Sequence, residues 1–186
     1  LAVDISNWSG LLSLDAVQEW KNAGIKKVII GMQNKEIATR QWSVCITEGI
    51  EPEFYVYLYW DNSGEGSDAR KIENCIALDN KRRIWLDCEE QPPNNFSVVH
   101  YLEGIMSTHP EHALWGVYTR QNWWKTYARF LEQITSLPLW YAHYDSQPNF
   151  DDFQPFGGWE KPMMKQYEGD VYLAGVKVDK NVWKPS

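Results

Sequence analysis

Long apolar runs are missing from this chain. No stretch of about 18 apolar residues occurs, so no segment is expected to cross a bilayer as a helix. Cysteine is scarce: Cys45, Cys75 and Cys88 are the only three, and no CxxC pair exists. So few cysteines, odd in number, in 186 residues exclude a disulfide scaffold, and they read as buried thiols acting as small hydrophobes. A Cys45–Cys75 bridge between neighbouring helices has nothing in the sequence to support it. Positive charge is in deficit, with 18 Lys+Arg against 25 Asp+Glu and a net charge of −7. Neutralising phosphates needs Lys and Arg, so general nucleic-acid binding is excluded, and no basic stripe serves an anionic membrane. The chain starts Leu1-Ala2-Val3-Asp4, with no Met, no basic n-region and no long apolar h-region. No signal peptide is visible, so export would need a leader already removed or another route. GxGxxG, P-loop, GxSxG and HExxH patterns are all absent, which removes the common signatures of dinucleotide, phosphate, serine-hydrolase and zinc-protease chemistry.

Aromatics, by contrast, are abundant: 11 Trp, 10 Tyr and 6 Phe, or 15% of the chain. They serve either as buried core or as flat platforms for sugar rings. Charged residues at 23% and hydrophobic residues at 44% are ordinary for a globular protein.

The hydrophobic pattern alternates strand and helix. Short β runs are expected at Ala2–Ile5, Ile25–Met32, Glu53–Trp60, Arg83–Glu89, Leu114–Thr119 and Leu137–Tyr144. Between them lie helices. Ser13 caps one that stops at Gly24, and others cover Thr39–Glu48, Ser67–Leu78, Ser97–Ile105 and Asn122–Leu131. Ser146–Pro162 is rich in Pro, Gly, Asp and aromatics and reads as loop. Met163–Tyr167 and Val176–Val182 are then two strands with no helix between them. Strand–helix alternation implies parallel strands with right-handed crossovers. Eight strands in a chain shorter than the roughly 250 residues of a full (β/α)₈ barrel point to a TIM-like α/β barrel. It would be of (β/α)₅(β)₃ form, mainly parallel, with the last crossovers lacking helices. Residues 1–186 are expected to form a single barrel domain. An open doubly wound sheet is the alternative.

Period-two alternation sends Ile84, Leu86 and Cys88 to one face of the fourth strand and Trp85, Asp87 and Glu89 to the other, inside the barrel. Asp87 and Glu89 fall at the C-terminal end, where barrel enzymes work. Like charges about 6.6 Å apart along one face cannot both ionise freely, so one pKa should rise, as a general acid requires. The same alternation turns Asp4 and Asp179 inward, and strands one and eight are neighbours in a closed barrel. Tyr55, Tyr57, Tyr59 and Asp61 share the inward phase of the third strand. Four carboxylates (Asp4, Asp87, Glu89 and Asp179) at one mouth have no stabilising logic, so an acidic cleft with aromatic walls is expected. Glycoside hydrolysis uses such a set. A hard cation on the carboxylates is the competitor. His100, His109, His112 and His143 lie scattered on a helix, the loop after it and a strand, and His109 and His112 beside Pro110 read as surface loop. No metal and no cofactor are expected.

Six pieces in order resemble the glycoside hydrolase family 25 muramidases. They are Val3-Asp4-Ile5-Ser6-Asn7-Trp8-Ser9-Gly10, Leu86-Asp87-Cys88-Glu89, Val117-Tyr118-Thr119 with Trp123-Trp124, Leu139-Trp140-Tyr141-Ala142-His143-Tyr144, Gln166-Tyr167, and Val178-Asp179-Lys180-Asn181. The resemblance implies a (β/α)₅(β)₃ barrel that cuts the β-1,4 bond between N-acetylmuramic acid and N-acetylglucosamine in bacterial peptidoglycan. A monomer acting outside the cell or on the bacterial wall is expected. The resemblance makes Glu89 the general acid. Asp87 and Asp179 would orient the acetamido group or stabilise the transition state, with Asp4 completing the floor. Tyr118 and Trp140 would be wall residues. Tyr57, Tyr59, Asp61, Tyr144 and Gln166 join them as substrate-binding candidates. The nucleophile is either a carboxylate or the substrate's own acetamido group. Three departures mark a divergent member, for example from a phage-lysin lineage. Gly31-Met32-Gln33-Asn34 stands for a T-E-G-like motif, Tyr57-Leu58-Tyr59 for Y-H-F, and Lys165 for a Trp before Gln-Tyr. Family 18 chitinases need D-x-D-x-E, and Trp85 occupies the place of the first acid. A non-catalytic glycan-binding barrel and a different hydrolase on this scaffold are the rival readings.

Overall fold

The computed structural model describes residues 1–61, 63–64, 66–128 and 134–184. Eight strands close into one barrel in sequence order. They are β1 (Ala2–Ile5), β2 (Lys27–Gly31), β3 (Glu51–Tyr57), β4 (Ile84–Cys88), β5 (Trp115–Thr119), β6 (Leu139–Ala142), β7 (Met164–Leu173) and β8 (Val176–Trp183). Helices α1 (Leu14–Asn22), α2 (Lys35–Glu48), α3 (Asp68–Asp79), α4 (Val98–Ser107) and α5 (Gln121–Tyr127) follow the first five strands. Strands β1 to β7 pair in parallel, whereas β8 runs antiparallel to both β7 and β1. The barrel is therefore the (β/α)₅(β)₃ form expected from the alternation.

The helix starts follow from their caps. Ser13, Asn34, Ser67 and Ser97 each accept a backbone N–H of the first turn. Gly49 ends α2 in the left-handed region that a Cβ disfavours. Outward residues of the strands, among them Val3, Val28, Val56, Leu86 and Val117, join Val17, Trp20, Ile72 and Leu102 of the helices in the main core. Cys45, Cys75 and Cys88 are free and buried.

Inside the barrel, side chains fall into layers, as alternation on tilted strands requires. The middle layer is apolar: Ala2, Ile29, Trp85, Trp140 and Met164. Below it Glu53 accepts a hydrogen bond from Trp85 Nε1 at 2.7 Å and pairs with Lys27. Above it lie the acids. Two glycines are set by this filling. A Cβ on Gly116 would lie 2.4 Å from the Trp85 ring, and one on Gly31 would lie 2.6 Å from the Tyr55 hydroxyl oxygen.

Strands β3 and β7 and the loop residue His112 differ most from their sequence patterns, and α2 starts at Lys35, one turn before the expected Thr39. Strand β3 ends at Tyr57 instead of Trp60, because Trp60 sits at φ +61°, which breaks the alternation. Strand β7 continues past Tyr167 to Leu173, through irregularities between Gln166 and Val171, and turns at Ala174-Gly175, both with positive φ as tight hairpins favour. The polar Glu168-Gly169-Asp170 hides that continuation. His112 is buried, not in a surface loop. Its ring nitrogens lie 3.2 Å from the Asn80 and Leu114 carbonyl oxygens, and its ring packs edge-on against Trp115. The last residues of the expected Asn122–Leu131 helix lie outside the described residues. No described helix is long and apolar enough to cross a membrane.

Candidate active site

The register brings the acids together. Asp4 is the direct partner of Asp179 across the β1–β8 seam, and Asp87 sits between Tyr57 and Tyr118 of the flanking strands. Amides hold the pair at the seam. Asp4 Oδ2 accepts from Gln166 Nε2 at 2.9 Å and from Asn181 Nδ2 at 2.7 Å. Gln166 Nε2 also reaches Asp179 Oδ2 at 3.2 Å. The Gln166 carbonyl accepts from the hydroxyls of Tyr118 at 2.7 Å and Tyr144 at 2.6 Å. Trp140 Nε1 donates to Asn181 Oδ1 at 2.8 Å, which fixes the Asn181 amide with its NH₂ toward Asp4. The irregular stretch of β7 has a use here. It aims the Asp170 backbone N–H at Asp179 Oδ1, 2.6 Å away, with Asp170 at φ +57°.

Electrostatics separate the four acids. Burial, then the neighbouring Asp179, pushes the Asp4 carboxyl well above the usual range against its two amide donors. Burial, then Glu89 and Asp4, does the same to Asp87, whose Oδ1 has no hydrogen-bond partner among the described residues. Burial also raises Glu89 and Asp179, each with partial relief: from Arg120 for Glu89 and from the Asp170 N–H for Asp179. Glu89, directly after β4, keeps access to solvent, with 27% of its side chain exposed.

Its position is set by the residue after it. The Glu90 carbonyl accepts from two stacked indoles, Trp60 Nε1 at 2.9 Å and Trp123 Nε1 at 3.0 Å, with ring planes 11° apart. The Glu90 carboxylate accepts from the Tyr57 hydroxyl at 2.8 Å. Thus the left-handed backbone at Trp60 anchors the turn that carries Glu89. Trp8, 83% exposed, follows β1 and edges a small cavity floored by Asp4 and Asp179. A Trp left so open beside buried acids has the form of a sugar platform.

The family model described as Lysozyme-like protein 1 matches residues 13–167. The chain belongs to the glycoside hydrolase family 25 lysozymes. It is 30% identical over 179 residues to "Probable GH family 25 lysozyme 3" of Dictyostelium discoideum, a match covering 84% of this chain and 37% of that protein. The chain spans about a third to a half of the length of the curated relatives it matches. Among solved structures, the CTP1L endolysin superposes with TM-score 0.75 at 19% identity, covering 98% of this chain and 66% of that one. The Cpl-1 endolysin, complexed with a peptidoglycan analogue, superposes with TM-score 0.67 at 16% identity, covering 100% and 54%. At these identities the two structures speak for the fold.

Not every candidate residue of this family 25 chain joins the acids. Trp140, at 2% exposure, is a floor residue packed against Tyr118, itself buried at 6% exposure, so neither offers an open wall, contrary to expectation. The reason for Trp140 is its place on β6, where it fills the middle layer against Trp85. Asp61 is also misplaced by the sequence pattern. Beyond the kink at Trp60 it is exposed, and its carboxylate accepts from the Ser63 N–H at 2.8 Å and hydroxyl at 2.7 Å. Tyr59 is exposed beside Tyr57, with ring centroids 4.9 Å apart, and Lys71 Nζ lies over its ring. Asn181, Glu90, Trp60 and Arg120 were not among the candidates. Only Asn181 carried a signal, since its even spacing from Asp179 puts both on the inner face. One described group, His143, Asp145 and Asp152, has ligand atoms close enough to hold a metal ion. Lys165 Nζ already bonds both carboxylates, at 2.7 and 2.6 Å, so the protein's own cation fills that centre.

Proposed function

We propose that the chain is the catalytic barrel of a muramidase, hydrolysing the β-1,4 bond between N-acetylmuramic acid and N-acetylglucosamine in peptidoglycan. The observation that carries this reading is the acidic floor, with Asp4 and Asp179 held by amides, Asp87 buried beside them, and Glu89, directly after β4, open to solvent. The peptidoglycan analogue bound to the Cpl-1 endolysin supports the substrate class. In this reading protonated Glu89 gives its proton to the glycosidic oxygen as the C1–O bond breaks. The open lone pair on Asp87 Oδ1 accepts the N–H of the substrate acetamido group, and Asp179 faces the positive charge developing at C1. The acetamido oxygen or a carboxylate then closes on C1, and water releases the product through Glu89 acting as base. The site acts on the bacterial wall.

The test is digestion of purified peptidoglycan by wild type and Glu89→Gln, with new ends identified by mass spectrometry after borohydride reduction. Reduced muramic acid ends from wild type, with a rate lower by about 10²–10⁴-fold in the variant, are expected. Reduced glucosamine ends would change the bond cut, and no ends with retained binding would make the barrel a glycan-binding module. The acid must be protonated, so kcat/KM is lost as pH rises through the raised pKa of Glu89. That limb is expected above the ordinary glutamate range in a pH profile on soluble fragments.

A further inference from the structure

Arg120 directly follows β5 and takes the first capping position of α5, where its side chain makes no cap hydrogen bond. Its Nη2 stands 3.7 Å from Glu89 Oε2, and 54% of the side chain is exposed. Beside it, between α5 and the segment after β6, opens a cavity of about 570 Å³ whose walls include Trp123, Tyr127, Tyr141, His143 and Phe153. Arg120 therefore stands on the sill between the acids and a second, largely aromatic recess.

The other titratable groups facing Glu89 among the described residues are acids, phenols and the buried Cys88 thiol. The acids and phenols are Asp4 from β1, Tyr57 from β3, Asp87 from β4, Glu90 next to it, Tyr118 from β5, Tyr144 after β6 and Asp179 from β8. Among the described residues Arg120 is thus the single cation against the acid, and a cation there favours the carboxylate over the proton that catalysis needs. At 3.7 Å from one oxygen and more than half solvated, the contact is a loose ion pair of the kind that contributes little. A substrate carboxylate entering the recess can offer the guanidinium a bidentate pair, the stronger geometry.

We propose that Arg120 is the specificity-determining residue of this site, pairing with Glu89 in the empty cleft and with a carboxylate borne by the glycan in the occupied one. Binding an anionic glycan then removes the cation from Glu89, and the acid keeps its proton. A neutral glycan leaves the pair in place. The inference rests on the proposed glycan hydrolysis and extends it to how the site tells acidic strands from neutral ones.

The experiment compares two soluble strands: a peptide-free alternating N-acetylglucosamine–N-acetylmuramic acid polymer with free lactyl carboxylates, and the same polymer with those carboxylates converted to methylamides. Wild type is expected to show kcat/KM about tenfold higher on the acid strand. In Arg120→Gln the ratio falls to about one, and the alkaline limb of the pH profile on the methylamide strand moves upward. Arg120→Lys keeps part of the ratio, because charge is restored without the planar fork. A ratio near one in wild type, or an undiminished ratio in Arg120→Gln, overturns the proposal. A merely structural role lowers both strands together and leaves the ratio, which also overturns it. Cleavage of neither strand by wild type overturns the glycosidase reading itself, and the inference with it.

Discussion

Asp87 is buried with one oxygen unpartnered and two acids facing it, an arrangement that selection for stability alone would remove. Burial, then Glu89 and Asp4, raises its folded pKa above the unfolded value of about 3.9. A raised acid contributes stability that is full below the unfolded pKa and is lost as pH rises through the folded one. Asp87→Asn removes the charge at similar volume. The variant is therefore expected to melt higher than wild type at pH 7, by about 2–4 °C for each kcal/mol released, with the difference closing below about pH 4. Calorimetry at the two pH values checks this, and a lower Tm at pH 7 would contradict it. Activity is expected to fall in the same variant, the usual opposition of stability and function at a strained site.

At the level of elements, the segment after β6 replaces a helix and needs its own fastening. Lys165, fully buried on the outer face of β7, supplies it by binding Asp145 and Asp152, while Tyr141 and His143 also bond Asp152. Burial alone would raise both carboxyls. Lys165 outweighs it, together with the Gln147 N–H for Asp145 and with His143 and Tyr141 for Asp152, and both sit below the usual range. Depressed acids contribute stability that is present above their unfolded pKa and lost as pH falls through the folded one. Lys165→Met is thus expected to cost about 2–3 kcal/mol at pH 7, less than a fully enclosed pair because the carboxylates are partly exposed. The deficit shrinks below about pH 4, the reverse of Asp87→Asn. Urea unfolding at both pH values measures it, and faster amide exchange in residues 144–153 should accompany it. The clamp also shows where sequence reading stops. Lys165 was visible only as a departure from a family pattern, because its partners lie 13 and 20 residues away in a segment without periodicity. The burial of His112 is illegible for the same reason, its carbonyl partner at Asn80 being 32 residues distant. The strands, by contrast, declared themselves by alternation, and closure followed from their number. Asp4 and Asp179 could be placed side by side because each lies opposite in phase to valines of its own strand, and the register makes them direct partners. Trp140 shares the inward phase too, but phase gives the side of the sheet and not the depth, so it does not separate a floor residue from a wall residue.

Across the whole molecule, charge is polarised along the barrel axis. The acids crowd one mouth, while Lys27, Lys81, Arg82, Arg83 and Lys184 line a recess with Glu51 and Glu53 at the other. With a net charge of −7 the chain repels an anionic glycan at a distance, and most strongly at the mouth that must receive it. The contact proposed for Arg120 works the other way, at hydrogen-bonding range. Salt separates the two. The Debye length shrinks from about 30 Å at 0.01 M to about 8 Å at 0.15 M, so repulsion during approach is screened while a close guanidinium–carboxylate pair is screened far less. On the soluble strand with free carboxylates, kcat/KM is therefore expected to rise severalfold between these ionic strengths with kcat little changed. On the methylamide strand it should stay nearly flat. A decline with salt on the acid strand would mean that attraction by local cations, and not the net charge, governs approach to the cleft.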